Sequence, residues 1–286
     1  MPESGRPGPS LENRLPAEGI SSSPEHPLRE FAWLLGASLA GLAALVVVVG
    51  WLATWLAPYV PFSAEVALAE RVVDPAAPTG DADRTAALQA LADRVAARMD
   101  LPPGMTVVLA YEESPVVNAY ATLGGRIRVY SGLLEQLDSE DELAALLAHE
   151  IAHVRHRHVA ASLGRGLAVA LLLGVVSADA GAAAAQSTLG RAASLAMLSY
   201  SREQEAEADA DALRVVVALY GHAGGVIGLF DRLREAAGDS GPEWTVLRSH
   251  PLTDARRAAI EAEAKRQRWP VSGEVTALPE ALRPGP

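Results

Sequence analysis

Four of the seven histidines in this 286-residue chain fall within ten positions, inside the run "AALLAHEIAHVRHRH" at residues 144–158. His149 and His153 stand four apart, with Glu150 directly after the first. On an α-helix, residues four apart share a face one turn apart, so the two ring nitrogens can converge on a single ion. Glu150 points nearby, offset by about 100°. In this H-E-x-x-H spacing two neutral imidazoles hold zinc, and the adjacent carboxylate takes a proton from the attacking water. His156 and His158 lie beyond the metal-facing position, and a polar structural role suits them better than ligation.

A catalytic zinc takes three protein ligands and keeps one position open, so a third donor is expected downstream. The chain has no cysteine, which leaves nitrogen and oxygen donors. Candidates cluster in "SYSREQEAEADADALRVVVALYG" at residues 199–221. On a helical wheel Glu205, Ala208, Asp209, Ala212 and Val216 share one face, whereas Glu203, Glu207, Asp211 and Arg214 gather on the other. The first face is small and apolar apart from its carboxylates, and a buried carboxylate needs compensating charge. Glu205 is therefore the expected third ligand. Asp209, one turn on, is the acceptor that orients a ligand histidine. The acidic set on the other face reads as solvated.

Several elements must position these residues. Ser139, three residues before Glu142, is a capping signal that opens a helix just ahead of the histidines. Leu88, Leu91, Val95 and Met99 recur at helical spacing over 83–99. Between them "TVVLAY" (106–111), "VVNAYAT" (116–122) and "GRIRVY" (125–130) are β-prone runs separated by turn signals, and a small sheet is expected. Upstream, Phe31 to Ala57 contains no charged residue or histidine. As a helix it spans about 40 Å, more than the roughly 30 Å of bilayer hydrocarbon. Trp33 near one end and Trp51, Trp55 and Tyr59 near the other suit the two interfaces. A cleaved signal peptide is the poorer reading, since its apolar core runs about 7 to 15 residues behind a basic start. Residues 1–27 are rich in Pro, Gly and Ser and read as a disordered tail.

The runs "SEDELAALLAHEIAHVRHRHVA", "YSREQEAEADADAL" and "SHPLTDARR" together resemble the successive signatures of the HtpX-like zinc metalloproteases, the family that also contains the CAAX prenyl endopeptidase. The resemblance covers about residues 83–268. It implies an α+β, mainly helical, zincin-like metallopeptidase domain with a small β-sheet, which follows the one N-terminal transmembrane helix read from the apolar run. It also implies one Zn2+ per chain held by His149, His153 and Glu205, with Glu150 as catalytic base. By the same resemblance His250 acts beside the metal, either hydrogen-bonding the reacting carbonyl or capping the zinc at rest. Asn118 belongs to the strand that pairs with substrate backbone, and Arg256 gives structural support.

The expected organisation is a tail (1–27), a transmembrane helix (28–58), a linker (59–82), the metallopeptidase domain (83–269) and a flexible C-terminal tail (270–286). Residues 159–198 read as an apolar helical hairpin, because "GLAVALLLGVV" is too short to cross a bilayer and Arg165, Asp179 and Arg191 flank the apolar runs. Two membrane crossings are the alternative there. Arg14 and Arg29 precede the membrane helix and Arg71 is the first basic residue after it, a bias that places the domain outside the cytoplasm of a cell membrane. The formal charge of −11 disfavours nucleic acid as a partner. Expected partners are polypeptide substrates, misfolded or membrane-associated, and the lipid bilayer. A zinc-stabilised chaperone or adaptor is the rival from another class, and a prenyl protease is disfavoured because one clear span cannot enclose a large membrane chamber.

Overall fold

The computed structural model describes residues 27–72, 80–166, 200–238 and 249–283. The expected N-terminal tail, save its last residue, and most of the apolar hairpin lie outside them. Helix α1 (Pro27–Leu56) carries the uncharged run. The stretch Leu28–Tyr59 has a mean hydropathy of 2.3 and is long and apolar enough to cross a membrane. Trp51 and Trp55 stack near its C-terminal end with ring centroids 6.4 Å apart. Residues from Val46 onward form one unit, to which all the contacts below belong.

Helix α2 (Phe62–Val72) occupies ground that reads in sequence as a linker. Its Glu65 is buried, accepting the Gly124 N–H at 3.1 Å and pairing with Arg157 Nη1 at 3.0 Å. Arg157 also donates to the Val60 carbonyl at 2.8 Å and lies over the Phe62 ring. The linker expectation fails over 62–72 because the helix finds a buried partner almost a hundred residues downstream. Helix α3 (Ala82–Ala96) starts at Asp81, whose carboxylate accepts from the Asp83 and Arg84 N–H groups. It buries Leu88, Leu91 and Val95 as their spacing predicts, with Ala92 beside them, but ends at Ala96, so the buried Met99 of the expected stripe lies in the turn beyond it.

Strands β1 (Val108–Glu112), β2 (Ala119–Thr122) and β3 (Arg126–Tyr130) form one mixed sheet in the order β1-β3-β2. β1 runs parallel to β3 and β2 antiparallel to it, with Ala121 opposite Ile127. The β2–β3 connection turns through Gly124 and Gly125 at φ of 73° and 71°. A Cβ on Gly125 would meet the Thr106 carbonyl oxygen at 2.0 Å, so only glycine fits there. β2 is left as an edge strand.

A single turn, α4 (Ser131–Leu134), leads to α5 (Glu140–Arg155), which is buried from Glu140 to Val154. Ser139 caps it as expected, its Oγ accepting the Glu142 N–H at 3.2 Å. Helix α6 (Arg202–Tyr220) opens with a reciprocal cap between Ser201 and Gln204 and ends at Gly221 in the left-handed region. It packs along one side of α5, and α7 (Gly224–Gly238) lies along another. Gly225 brings α7 close, since a Cβ there would stand 2.5 Å from the Asp141 carbonyl oxygen. Helix α8 (Asp254–Gln267) follows Thr253, whose Oγ1 accepts the Arg256 N–H.

The C-terminal residues also depart from expectation. Residues 270–283 dock on the domain instead of forming a flexible tail: Ala277 bridges Ser139, and the Glu140 N–H donates to the Thr276 carbonyl at 2.8 Å. Leu278 and Leu282 are buried. This segment supplies an acceptor to the Glu140 N–H in the first turn of α5, which Ser139 does not cap. Glu65→Gln is expected to lower stability by about 3–5 kcal/mol, because Arg157 is left as a buried charge without its counter-ion. Urea unfolding followed by far-UV circular dichroism would check this through a lower midpoint at unchanged slope.

Candidate metal centre

The period of α5 turns His149 and His153 toward α6 and Glu150 toward β2, while that of α6 returns Glu205 and Asp209. The two helices pack on each other, and Ala148 and Ala152 of α5 and Ala208 and Ala212 of α6 are all buried. His149 Nε2 and His153 Nε2 lie 3.1 Å apart. Glu205 Oε2 is 3.5 Å from the first and Glu205 Oε1 is 3.6 Å from the second. His250, arriving from the turn before α8, places Nδ1 at 3.2 Å from His149 Nε2 and 2.9 Å from Glu205 Oε1. One donor atom from each of these four residues lies within 4.8 Å of all the others.

These spacings can be set against a metal ion. Metal–donor distances of about 2.0–2.1 Å in a tetrahedron imply edges of about 3.3 Å, and the observed separations fall around that value. The polar atoms tell the same story. Glu205 Oε2 is buried without an aligned hydrogen bond, although Arg256 Nη1 stands 2.6 Å away as an ion pair. Burial works against charge on Glu205, but hydrogen bonds from His149 and His250 hold its carboxyl far below the usual carboxylate range. Burial likewise opposes charge on His149, yet hydrogen bonds to Asp209 and Glu205 push its imidazole up to about 10. The carboxylates therefore demand positive charge at this point. A divalent cation on the ring nitrogens would meet that demand with the imidazoles neutral, and the donor set of nitrogen and oxygen suits zinc.

Asp209 stands where the helical wheel places it, with Oδ1 at 3.1 Å from His149 Nδ1. Arg256 closes on it through Nε and Nη2, each at 2.7 Å. This is more than the general support expected of Arg256, since one guanidinium neutralises both Asp209 and Glu205. Burial opposes charge on Asp209, but hydrogen bonds from Arg256 and His149 hold its carboxyl below its ordinary value of 3.8.

Glu150 is 1% exposed. Its Oε2 accepts the Ala121 N–H at 3.0 Å, while Oε1 has no hydrogen bond and lies 3.5 Å from His250 Nε2. Burial raises the Glu150 pKa above 4.5. Asn118 sits at the start of the edge strand with its side chain buried and Oδ1 unpartnered. Its carbonyl accepts the Tyr130 N–H at 3.1 Å, so its backbone joins the β2–β3 ladder. The antiparallel alternation then turns the main-chain groups of Ala119 and Ala121 toward the free edge.

Two further residues touch the cluster: Tyr200, without an expected role, and His158, expected in a polar structural one. Tyr200 stacks on the His153 ring at 3.8 Å between centroids, a contact foreshadowed only by its place beside the acidic helix. His158 approaches His153 from behind, with their Nδ1 atoms 3.0 Å apart. The solvated reading holds for Glu203 and Glu207, both exposed, although Glu207 Oε2 also lies 3.0 Å from His158 Nε2; it is corrected for Asp211, which is buried among Arg155, His156 and Arg214. The end of α5 bends its basic residues onto that face of α6. Nothing in the α6 period reveals this.

A family model described as "Peptidase family M48" matches residues 82–264. The chain is 51% identical over 47 residues to a "Putative beta-barrel assembly-enhancing protease" of Vibrio cholerae, an alignment covering 16% of this chain and 10% of that protein. It is 40% identical over 58 residues to "Mitochondrial metalloendopeptidase OMA1" of Arabidopsis thaliana, covering 20% and 12%. It is 38% identical over 96 residues to "Protease HtpX homolog 1" of Streptomyces coelicolor, covering 32% and 28%. The chain thus spans between 10% and 28% of the length of these relatives.

Asp209→Asn is expected to weaken metal binding by about 10- to 100-fold, because His149 loses the charged acceptor that sets its tautomer. Competition with a chromophoric chelator on the full chain would measure it.

Proposed function

The chain belongs to peptidase family M48, and from that premise we propose that it is a membrane-anchored, zinc-dependent endopeptidase. The observation that carries the reading is the buried meeting of His149, His153, Glu205 and His250 next to a carboxylate with one oxygen held and one free. His149, His153 and Glu205 are the proposed ligands. Zinc, when bound there, supplies Lewis acidity for the peptide carbonyl and makes water a competent nucleophile near neutral pH.

The chain's own residues do the rest. Glu150 is the base: the Ala121 N–H fixes Oε2, which leaves Oε1 to accept the proton of the attacking water and return it to the leaving amine. Burial favours a Glu150 that can hold that proton. His250 is assigned to the same working set. With Nδ1 at the fourth corner it caps the cluster, and its Nε2, directed at Glu150, is the donor available to a carbonyl oxygen as negative charge develops. Asp209 and Arg256 hold His149 and Glu205 in place. An extended substrate would add to the free edge of β2 through the main-chain groups of Ala119 and the Ala121 carbonyl, with Asn118 at the start of that edge. Main-chain pairing of this kind tolerates many sequences, which suits unfolded clients.

Helix α1 is the proposed anchor, and the arginine bias around it supports an extracytoplasmic side of a cell membrane for residues beyond Val60. The proposed clients are misfolded or membrane-associated polypeptides in protein quality control. A folded adaptor without proteolysis would have no use for a base aimed at the metal, and no observation favours it.

Glu150→Gln is expected to keep one zinc per chain while cleavage of an unfolded protein falls by about 10²- to 10⁴-fold; full activity in that variant would defeat the assignment. In intact cells, protease added outside is expected to digest the chain beyond Val60. Protection there, with digestion only after lysis, would reverse the orientation.

A further inference from the structure

The two histidines of α5 are backed differently. His149 turns Nδ1 to the carboxylate of Asp209. His153 Nδ1 instead faces another ring nitrogen, His158 Nδ1, at 3.0 Å. His158 is buried, and its second nitrogen, Nε2, lies 3.0 Å from Glu207 Oε2 on α6. We propose that His158 and Glu207 are positioning residues: a two-step hydrogen-bond relay that fixes the tautomer and rotation of His153 as a zinc ligand. The inference rests on the zinc reading above.

The chemistry allows one direction through these contacts. An imidazole that gives Nε2 to a metal keeps its only N–H on Nδ1, so His153 donates and His158 accepts. The His158 proton then sits on Nε2, facing a carboxylate that can only accept. In the opposite direction His158 Nε2 would turn a lone pair toward Glu207, and His153 would carry its proton on the very atom that should bind the metal. The carboxylate at the end of the relay therefore selects the ligating form of His153 from two bonds away. Stacking against Tyr200, with ring planes 20° apart, restrains the plane of His153. The bond to His158 sets its rotation within that plane. Helix α6 so contributes three carboxylates to the site, with Glu205 aimed at the ion, Asp209 at His149, and Glu207 at His153 through His158.

The same neighbourhood offers a competing role. His156, His158 and Glu207 have donor atoms within 4.8 Å of one another, a grouping that could hold a second ion. His156 Nε2, however, lies 3.0 Å from Asp211 Oδ2 and 3.2 Å from Arg155 Nη1, and a guanidinium at that distance repels a cation. The relay also requires a proton on His158 Nε2, the atom a second ion would need.

The test compares the full-length wild type with five variants, using chelator competition for zinc stoichiometry and affinity and thermal unfolding of the metal-free proteins. The wild type is expected to bind one zinc. His158→Phe weakens binding by about tenfold or more while the metal-free melting temperature stays unchanged. His158→Gln recovers much of the loss, since its amide can accept from His153 and donate toward Glu207. His156→Phe, outside the relay, leaves the affinity unchanged. Glu207→Lys weakens zinc binding well beyond Glu203→Lys, because a donor at 207 favours the wrong His158 tautomer while 203 carries only the change in charge. Wild-type affinity in His158→Phe overturns the relay, as does an equal loss in His156→Phe or equal effects of the two lysine variants. If His158→Phe does not fold, the lysine pair, both on the surface of α6, decides by itself. Two zinc ions per chain, one lost in His158→Phe, would assign the cluster to a second ion instead. A wild type that binds no zinc would remove the parent reading along with this one.

Discussion

Placing Glu150, Glu205 and Asp209 with His149, His153 and His250 in a region almost closed to water is the constraint around which the domain is arranged. A buried charge without a partner costs several kcal/mol, so each carboxylate must be met from a defined direction. Helix α5 offers the imidazoles, α6 the carboxylates and the first turn of α8 the guanidinium of Arg256. A displacement of α6 would break the contacts of Glu205, Glu207, Asp209 and Asp211 together, which couples the site's geometry to the packing of the domain.

The same logic reaches the loop that carries His250. Arg256 donates through Nη1 to the Pro251 carbonyl at 3.0 Å while its other nitrogens hold Asp209. One side chain thus ties the turn beside His250, the cap of α8 and the buried face of α6 that carries Asp209. On the opposite side Glu150 is tied to the sheet through the Ala121 N–H. The edge strand proposed to receive a substrate and the base proposed to act on it therefore move as one piece. That is a form of preorganisation, since the proton acceptor keeps its place relative to any peptide aligned on β2.

Sequence made the centre legible because helical period is a strong signal. Four-residue spacing placed His149 beside His153 and Glu205 beside Asp209, and the structure unites the first pair with Glu205 and sets Asp209 against His149. The period of α6 could not tell whether its other face met water, because the answer depends on Arg155, His156 and His158 at the end of a different helix. Backbone direction on β2 was equally hidden. Whether Asn118 or Ala119 faces the free edge is a matter of one residue of register, and composition does not encode it. Helix α2 and the C-terminal segment read as connections because each is stabilised by distant partners, Arg157 for Glu65 and the start of α5 for Thr276 and Ala277.

These distant partners bear on how a site at the end of a membrane helix would work. Arg165 donates to Thr54 Oγ1 at 3.1 Å and to Gln204 Oε1 at 3.3 Å, so it bridges the last turns of α1 and the first turn of the helix that carries Glu205. A Cβ on Gly164 would meet the Ala53 side chain at 2.8 Å, which leaves no space between the two segments. Glu65 and Arg157 add a buried ion pair between α2 and the residues just beyond α5. Trp51, Trp55 and Tyr59 lie along the same turns as Ala53 and Thr54, so these aromatic residues, the Arg165 bridge to Gln204 and the first turn of α6 form one connected set.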